Sequence, residues 1–313
     1  MIDVTAIGEY LIDFTEYGIG DDDSCLFWKN AGGAPANLLV AVSRFGGKTA
    51  FITKVGNDML GEWLVSILKQ NGVMTEGVVR DEYHNTTLAF VELDKHGDRS
   101  FSFCRKFGAD IFLTAAEVNT DLIKHSKIFH FGSLSLTDEP ALSATKYALE
   151  AAVEAGCIIT FDPNYRSALW NDEQTAFEKI RQYIKYVQIL KVSHEEARII
   201  CGIEQPEKAA DKILQMGPQI VLVTDGANGV YFASEILSGH LPSFRVKTVD
   251  TTGAGDIFFG VFIASFLKVG KKCAALTPEE LKWCIERSVK AAGMSTAKKG
   301  AIRSIPSMKE VDD

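Results

Sequence analysis

The stretch Val249-Asp-Thr-Thr-Gly-Ala-Gly-Asp-Ile-Phe-Phe-Gly260 decides how the chain is read. Just upstream, Phe244 to Val249 alternates apolar and polar residues, which predicts a short strand. From Ile257 the period changes, and Phe258, Phe262, Ile263 and Phe266 recur at helical spacing. Between the two lies a turn containing Gly253 and Gly255. Small residues let backbone N–H groups approach a ligand. A helix that opens there offers uncapped donors and the positive end of its dipole to an anion. Asp256 stands in that mouth. A carboxylate beside an anion cradle points to proton handling or a metal. The same residues also suit an ordinary glycine-rich turn with Asp at a helix start, and the stretch by itself leaves both readings open.

Working outward, most of the chain alternates strand and helix. Val4 to Gly8 reads as a buried strand, and Leu11 to Thr15 as a second extended piece before a polar loop, Gly18 to Asp23. Asn30-Ala-Gly-Gly-Ala-Pro-Ala-Asn37 leads into Leu38, Ala41, Val42 and Phe45 at helical spacing, with Pro35 in the first turn and Gly46-Gly47 ending the helix. Thr49 to Val55 is strand-like, and Asp58 suits the cap of the next helix. Two strand-like runs, Thr86 to Leu93 and Arg99 to Arg105, interrupt the rhythm around a hairpin turn at Asp94-Lys-His-Gly-Asp98. Strands at Lys127–Phe131, Cys157–Asp162, Val187–Val192, Ile220–Thr224 and Gly229–Ala233 then alternate with helices. This is the grammar of a parallel α/β sheet in one main domain with a small β excursion.

The composition narrows the function. The chain has 313 residues, is 46% hydrophobic and 24% charged, and carries a net charge of −8. An acidic balance argues against a nucleic-acid partner. No apolar run approaches the roughly 18 residues of a membrane span, so none is expected. The six cysteines have no paired spacing and suit reduced thiols in a cytoplasmic protein. The six histidines show no zinc spacing.

Other motifs carry competing readings. Gly46-Gly-Lys-Thr49 fails as a phosphate loop, because the required earlier glycine is Val42 and the strand–helix order is reversed. No G-x-G-x-x-G follows the first strand. Thr224-Asp-Gly-Ala-Asn-Gly229 suits a nucleotide-lining turn or a plain hairpin. Ser193-His-Glu-Glu196 has the form of a helix capping box. Asp162-Pro-Asn-Tyr-Arg166 ends a buried strand on the side where open α/β sheets bind ligands, and Arg166 there suits an anion or a surface loop. Asp13, Gly32, Gly33 and Asn37 together offer an acceptor, close backbone and an amide to hydroxyl groups.

Assembled, these residues resemble the ribokinase-like carbohydrate kinases of the pfkB family, most of all the fructokinase branch. The likeness covers essentially the whole chain. Ala31-Gly-Gly-Ala-Pro-Ala-Asn37 continuing to Lys54-Val-Gly-Asn-Asp58 is similar to the N-terminal signature. Asp250-Thr-Thr-Gly-Ala-Gly-Asp256 with Phe258 and Gly260 is similar to the C-terminal one. Asp162-Pro-Asn-Tyr-Arg166, Lys191-Val-Ser-His-Glu-Glu196 and Phe101-Ser-Phe-Cys-Arg105 fit the fructokinase branch better than ribokinase.

The resemblance implies a three-layer α/β/α sandwich with a mostly parallel central sheet. It implies one kinase domain over residues 1–313, with a small β-sheet lid from about 10–17 and 86–105 that serves as a homodimer contact. It implies transfer of the ATP γ-phosphoryl group to a sugar primary hydroxyl, with fructose 6-phosphate as product. Asp256 would be the base, and the backbone of Gly253, Ala254 and Gly255 the anion hole. Asp13, Gly32, Gly33, Asn37, Phe103, Arg105 and Arg166 would hold the sugar. Ser193, Glu196, Thr224, Gly226 and Gly229 would serve the nucleotide, with Glu196 on the Mg²⁺ side. Asp250 and Thr252 would bind K⁺ together with the backbone of 300–304. A 2-keto-3-deoxygluconate kinase and a non-catalytic sugar-binding regulator are the rival readings. Four positions depart from the family pattern: Asn57, Cys104, Ser193 and Asp225, the last expected to bring a charge near the nucleotide.

Overall fold

A computed structural model describes residues 1–93 and 99–313. Its strands are β1 (Ile2–Ile7), β2 (Leu11–Ile19), β3 (Cys25–Gly32), β4 (Thr49–Gly56), β5 (Val73–Asp81), β6 (Leu88–Leu93), β7 (Arg99–Cys104), β8 (Ser126–Gly132), β9 (Ile158–Asp162), β10 (Ile189–Ser193), β11 (Ile220–Thr224), β12 (Val230–Ser234) and β13 (Ser238–Leu241). The α-helices are α1 (Ala34–Arg44), α2 (Met59–Gln70), α3 (Thr120–Lys124), α4 (Ala141–Glu154), α5 (Glu173–Ile184), α6 (His194–Cys201), α7 (Pro206–Leu214), α8 (Ala254–Val269), α9 (Pro278–Ser295), α10 (Ala301–Ser304) and α11 (Met308–Asp312).

The large sheet runs β13-β12-β11-β10-β9-β8-β1-β4-β5. It is parallel from β11 to β5, while β12 and β13 turn back antiparallel. Its inner strands are near-continuous apolar runs such as Ile220-Val-Leu-Val-Thr224, as a parallel sheet covered on both faces requires. Alternate residues feed two cores. Ile128, Ile189 and Leu222 face α1, α2, α8 and α9; Phe129, Leu190 and Val223 face α4 to α7. The expected three layers are therefore present.

The small sheet runs β3-β2-β6-β7. The tip between β6 and β7, Asp94-Lys-His-Gly-Asp98, lies outside the described residues; the two strands pair antiparallel as expected. β3 is an added strand, so the expected polar loop shrinks to the tight turn after Ile19.

The strand expected at 244–249 does not form. Pro242 removes a ladder donor just past β13, and the amides of Val249 and Asp250 both donate to the Thr296 carbonyl, at 2.7 and 3.0 Å. The segment is extended without a partner strand, and it runs beneath the end of α9.

α8 is the axis of the fold. Every residue from Ile257 to Phe266 is buried, so this helix shows no polar face. Gly260 brings it against α1: a Cβ there would meet the Leu38 carbonyl and the Ala41 Cβ at 2.7 Å. One turn earlier on each helix stand Asn37 and Asp256, so this close crossing is what brings them together.

Candidate active site

The mouth of α8 opens on Gly253, whose φ of +75° is left-handed. A Cβ at that position would also sit 2.5 Å from the Ala301 Cβ, so both conformation and space require glycine. The first helical hydrogen bond runs from the Ile257 amide to the Gly253 carbonyl at 2.8 Å. The amides of Gly255 and Asp256 precede that ladder and are available to an anion. The Ala254 amide bends back to the Thr251 carbonyl at 3.2 Å, so it is already partly engaged.

Asp256 Oδ2 accepts a hydrogen bond from Asn37 Nδ2 at 2.8 Å. Burial, with the charge of Asp162 adding to it, pushes the Asp256 carboxyl up to about 6; the Asn37 bond, Lys191 and Arg166 pull the other way. An aspartate near 6 is ionised at neutral pH yet basic enough to accept a proton. Asn37 Oδ1 is buried without a partner, an acceptor suited to a ligand hydroxyl.

Behind the base lies an ion pair that sequence reading did not single out as functional. Lys191 Nζ lies 2.9 Å from Asp162 Oδ2, and both residues are buried. Burial opposes the ammonium charge, but Asp162, Glu196 and Asp256 together outweigh it and raise the Lys191 pKa. The other oxygen, Asp162 Oδ1, accepts the Asn164 amide at 3.1 Å and holds Asn164 at φ +47°. That turn sets the course of the chain into Arg166, whose charge reaches Asp256.

On one side of the α8 mouth is a cleft of about 800 Å³. Thr224, Gly226 and Gly229 line it with Ala254 and Gly255, while Val246, Phe258, Val289 and Ala292 give it an apolar wall. The segment expected as a strand runs along this cleft instead, with Phe244, Arg245, Val246 and Thr248 in its wall. Ser193 and Glu196 stand one strand over: Ser193 opposes Thr224 across β10 and β11. They form the expected capping box. The Glu196 oxygens accept the amides of Tyr165 at 2.6 Å and Ser193 at 2.7 Å. Asp225 lies between two residues of the cleft lining, Thr224 and Gly226. Its carboxylate meets His194 Nδ1 at 3.3 Å and accepts from Asn228 Nδ2 at 3.0 Å.

On the other side are the sugar candidates. Asn30, Asp13, Ala89 and Phe103 form one row across the small sheet, so Asp13 and Phe103 share a face. The Asp13 carboxylate lies over Gly32, where a Cβ would be 2.1 Å from Oδ2. Gly33, at φ +111°, turns the chain into α1 and so carries Asn37 to the base. Arg105 is buried and clamps Asp110, Thr137 Oγ1 and the Leu134 carbonyl. Among the described residues these bonds engage three of its five N–H groups. Arg166 donates to the Tyr165 carbonyl at 3.1 Å. Glu9 was also missed: buried at the end of β1, it accepts the Ala34 amide at 3.0 Å through Oε1, while Oε2 has no partner. Burial pushes its carboxyl up to about 7. Its position just past the carboxyl end of a central strand is a signal the sequence held.

Asp250 takes the Thr252 amide on Oδ1 at 2.7 Å and the Gly300 amide on Oδ2 at 2.9 Å, tying together the two walls proposed for K⁺. Among the described residues no group of three or more His, Cys, Asp or Glu could cage a metal. Mg²⁺ is commonly bound by one or two carboxylates together with phosphates and water.

Residues 1–308 match the family described as pfkB family carbohydrate kinase. The chain is similar to Fructokinase-1 from Zea mays, 41% identical over 312 residues that cover 98% of this chain and 96% of that protein. Its fold is similar to fructokinase with bound ATP from Xylella fastidiosa, at a TM-score of 0.90 and 32% identity, covering 99% of this chain and 96% of that one. It is likewise similar to a double-mutant fructokinase from Vibrio cholerae O395 bound to fructose, ADP and potassium ion, at a TM-score of 0.89 and 28% identity, covering 100% and 97%.

Proposed function

Because this chain belongs to the pfkB family of carbohydrate kinases, we propose that it is a fructokinase, moving the γ-phosphoryl group of ATP to the primary hydroxyl at O6 of D-fructose. The observation that carries this reading is Asp256. It is held by Asn37 at 2.8 Å and set where the nucleotide cleft meets the amide-rich mouth of α8. Phosphoryl transfer depends on positioning and charge stabilisation. ATP lies in the cleft lined by Thr224, Gly226 and Gly229, with its terminal phosphate toward the Gly253–Gly255 backbone. Asp13, Gly32, Gly33, Asn37, Phe103, Arg105 and Arg166 orient the sugar, and Asp256 takes the proton from its hydroxyl. Mg²⁺, when bound with the triphosphate, would offset phosphate charge, and Glu196 and Ser193 would stand on its side of the site. Asp250 and Thr252 with the backbone of 300–304 would hold K⁺.

The whole chain, 1–313, acts as one kinase domain whose small sheet is a lid over the sugar. We also propose that the lid forms a homodimer contact, supported by the exposed Tyr17, Ile19, Leu26 and Phe27 on β2 and β3. A cytoplasmic setting is supported by six free cysteines. No described helix is long and apolar enough to cross a membrane.

The test is ADP release by the purified chain over a panel of sugars and sugar acids, with the product phosphate located by NMR. Fructose should be turned over best and phosphorylated at O6. Preference for 2-keto-3-deoxygluconate would reassign the substrate. Calorimetric sugar binding without ATP turnover would make the protein a regulator.

A further inference from the structure

Strand parity places four polar side chains where the core calls for apolar ones. On β8, β9 and β10 the residues that face α8 are Ile128, Ile158 and Ile189 at one end. By the same period they are His130, Thr160, Asp162 and Lys191 at the other. Asp162 and Lys191 therefore lie beneath the first turn of α8, on the face that carries Gly255 and Asp256. The ammonium is close: a Cβ on Gly255 would be 2.9 Å from Lys191 Nζ. A buried ion pair seldom adds stability over apolar residues of equal volume, so its presence calls for another reason.

Asp162 has one of its own, because its Oδ1 fixes the Asn164 turn that leads to Arg166. That carboxylate, left alone, would place a second negative charge behind the base and favour the protonated form of Asp256. The charged groups facing Asp256 are Asp162 at the end of β9, Arg166 in the loop after it and Lys191 on β10. Asn37 of α1 adds a neutral hydrogen bond, and Glu196 of α6 bears on Lys191.

We propose that Lys191 is a positioning residue for phosphoryl transfer: its ammonium, fixed by Asp162 beneath Gly255, cancels the field of that carboxylate and keeps Asp256 in its proton-accepting form. The inference rests on the assignment of Asp256 as base. Lys191 acts through Asp256 and need not touch the sugar or ATP. Lys191→Arg keeps the charge and should leave the acid limb in place.

The experiment is the pH profile of kcat, measured between pH 5 and 9 with saturating ATP and fructose, in four proteins besides the wild type. In Lys191→Met the midpoint of the acid limb should move up by about one pH unit, roughly a tenfold loss of rate on that limb. In Asp162→Asn, which keeps the acceptor for Asn164, the midpoint should move down by about the same amount. The double variant should return near the wild-type midpoint, and Asp256→Asn should lose at least about 10²-fold in kcat throughout. A merely structural pair would lower kcat with every midpoint unmoved, and that result overturns the proposal. If Lys191→Met does not fold, the Asp162→Asn arm decides alone. An Asp256→Asn protein with near wild-type turnover, or a wild type without an acid limb, would instead remove the base assignment and the proposal with it.

Discussion

The side-chain amide of Asn37 reaches the carboxylate of Asp256 at 2.8 Å across 219 positions of sequence. This bond ties the first turns of α1 and α8 together and leaves Asn37 Oδ1 free to receive a hydroxyl. Asn37→Leu should therefore lower kcat/KM by roughly 10- to 100-fold, with a rise in the KM for sugar. Because Asn37 works partly through Asp256, adding it to Asp256→Asn should cost less than the two single losses combined. Strict additivity in a steady-state double-mutant cycle would dissolve the coupling.

Asp256→Asn should lower kcat by at least about 10²-fold while sugar affinity, read by calorimetry, changes little. The same variant should be more stable than the wild type at pH 7. The sign follows from linkage. A carboxyl raised to about 6 in the fold holds its proton more tightly than in the unfolded chain, so stability falls as pH rises from near 4 to 6 and stays low above. The gain should be about 1 kcal/mol, less than full linkage gives because the cleft side is open to water. Urea unfolding with no gain at pH 7 would count against a strained carboxylate.

For the wild type, kcat should fall on the acid side with a midpoint near 6, the Asp256 value. A flat profile from pH 5 to 8 would exclude Asp256 as the proton acceptor in the rate-limiting step.

Two glycines should fail in different ways. Gly255→Val meets only the far end of the Lys191 side chain, so the protein should fold, yet the new side chain crowds the anion site. Turnover should drop by about 10²-fold or more, the scale of a lost oxyanion donor. Gly260→Val drives a branched side chain into the Leu38 carbonyl and Ala41. It should lose roughly 3 kcal/mol or more through overpacking. Circular dichroism melts and kinetics on both variants separate the two outcomes.

Glu9→Gln should stabilise the protein at pH 8 by roughly 2 kcal/mol, with the difference closing toward pH 4. The wild-type carboxyl, raised to about 7 by burial, costs nothing while protonated and its full penalty above 7. Equal stability of the two proteins at pH 8 would mean that Glu9 is relieved by water or by a ligand.

The interior of the large sheet was readable because its strands are apolar on both faces and leave no competing period. The three strands that escaped, β3, β5 and β13, are all sheet edges. Their outer rims face water, so residues such as Lys29, Glu76 and His240 blur the alternation. The segment 244–249 erred the other way: it runs along a cleft, and side-chain period cannot tell a ladder from an unpartnered run. At the site, Asp256 and the two glycine motifs were legible because their chemistry is local. Lys191 was not, because a lysine within Ile-Leu-Lys-Val-Ser earns its meaning only when Asp162 arrives from another strand.

α8 is walled in along ten consecutive residues, from Ile257 to Phe266. A rod so enclosed cannot swing, so the proton acceptor it carries is an anvil, and whatever travels during a turnover must come to it. Asp13 and Phe103 belong instead to the small sheet, at the periphery. Natural variation can therefore retailor which sugar is gripped by rebuilding that outer leaf, while the phosphate chemistry at the hub is inherited unchanged.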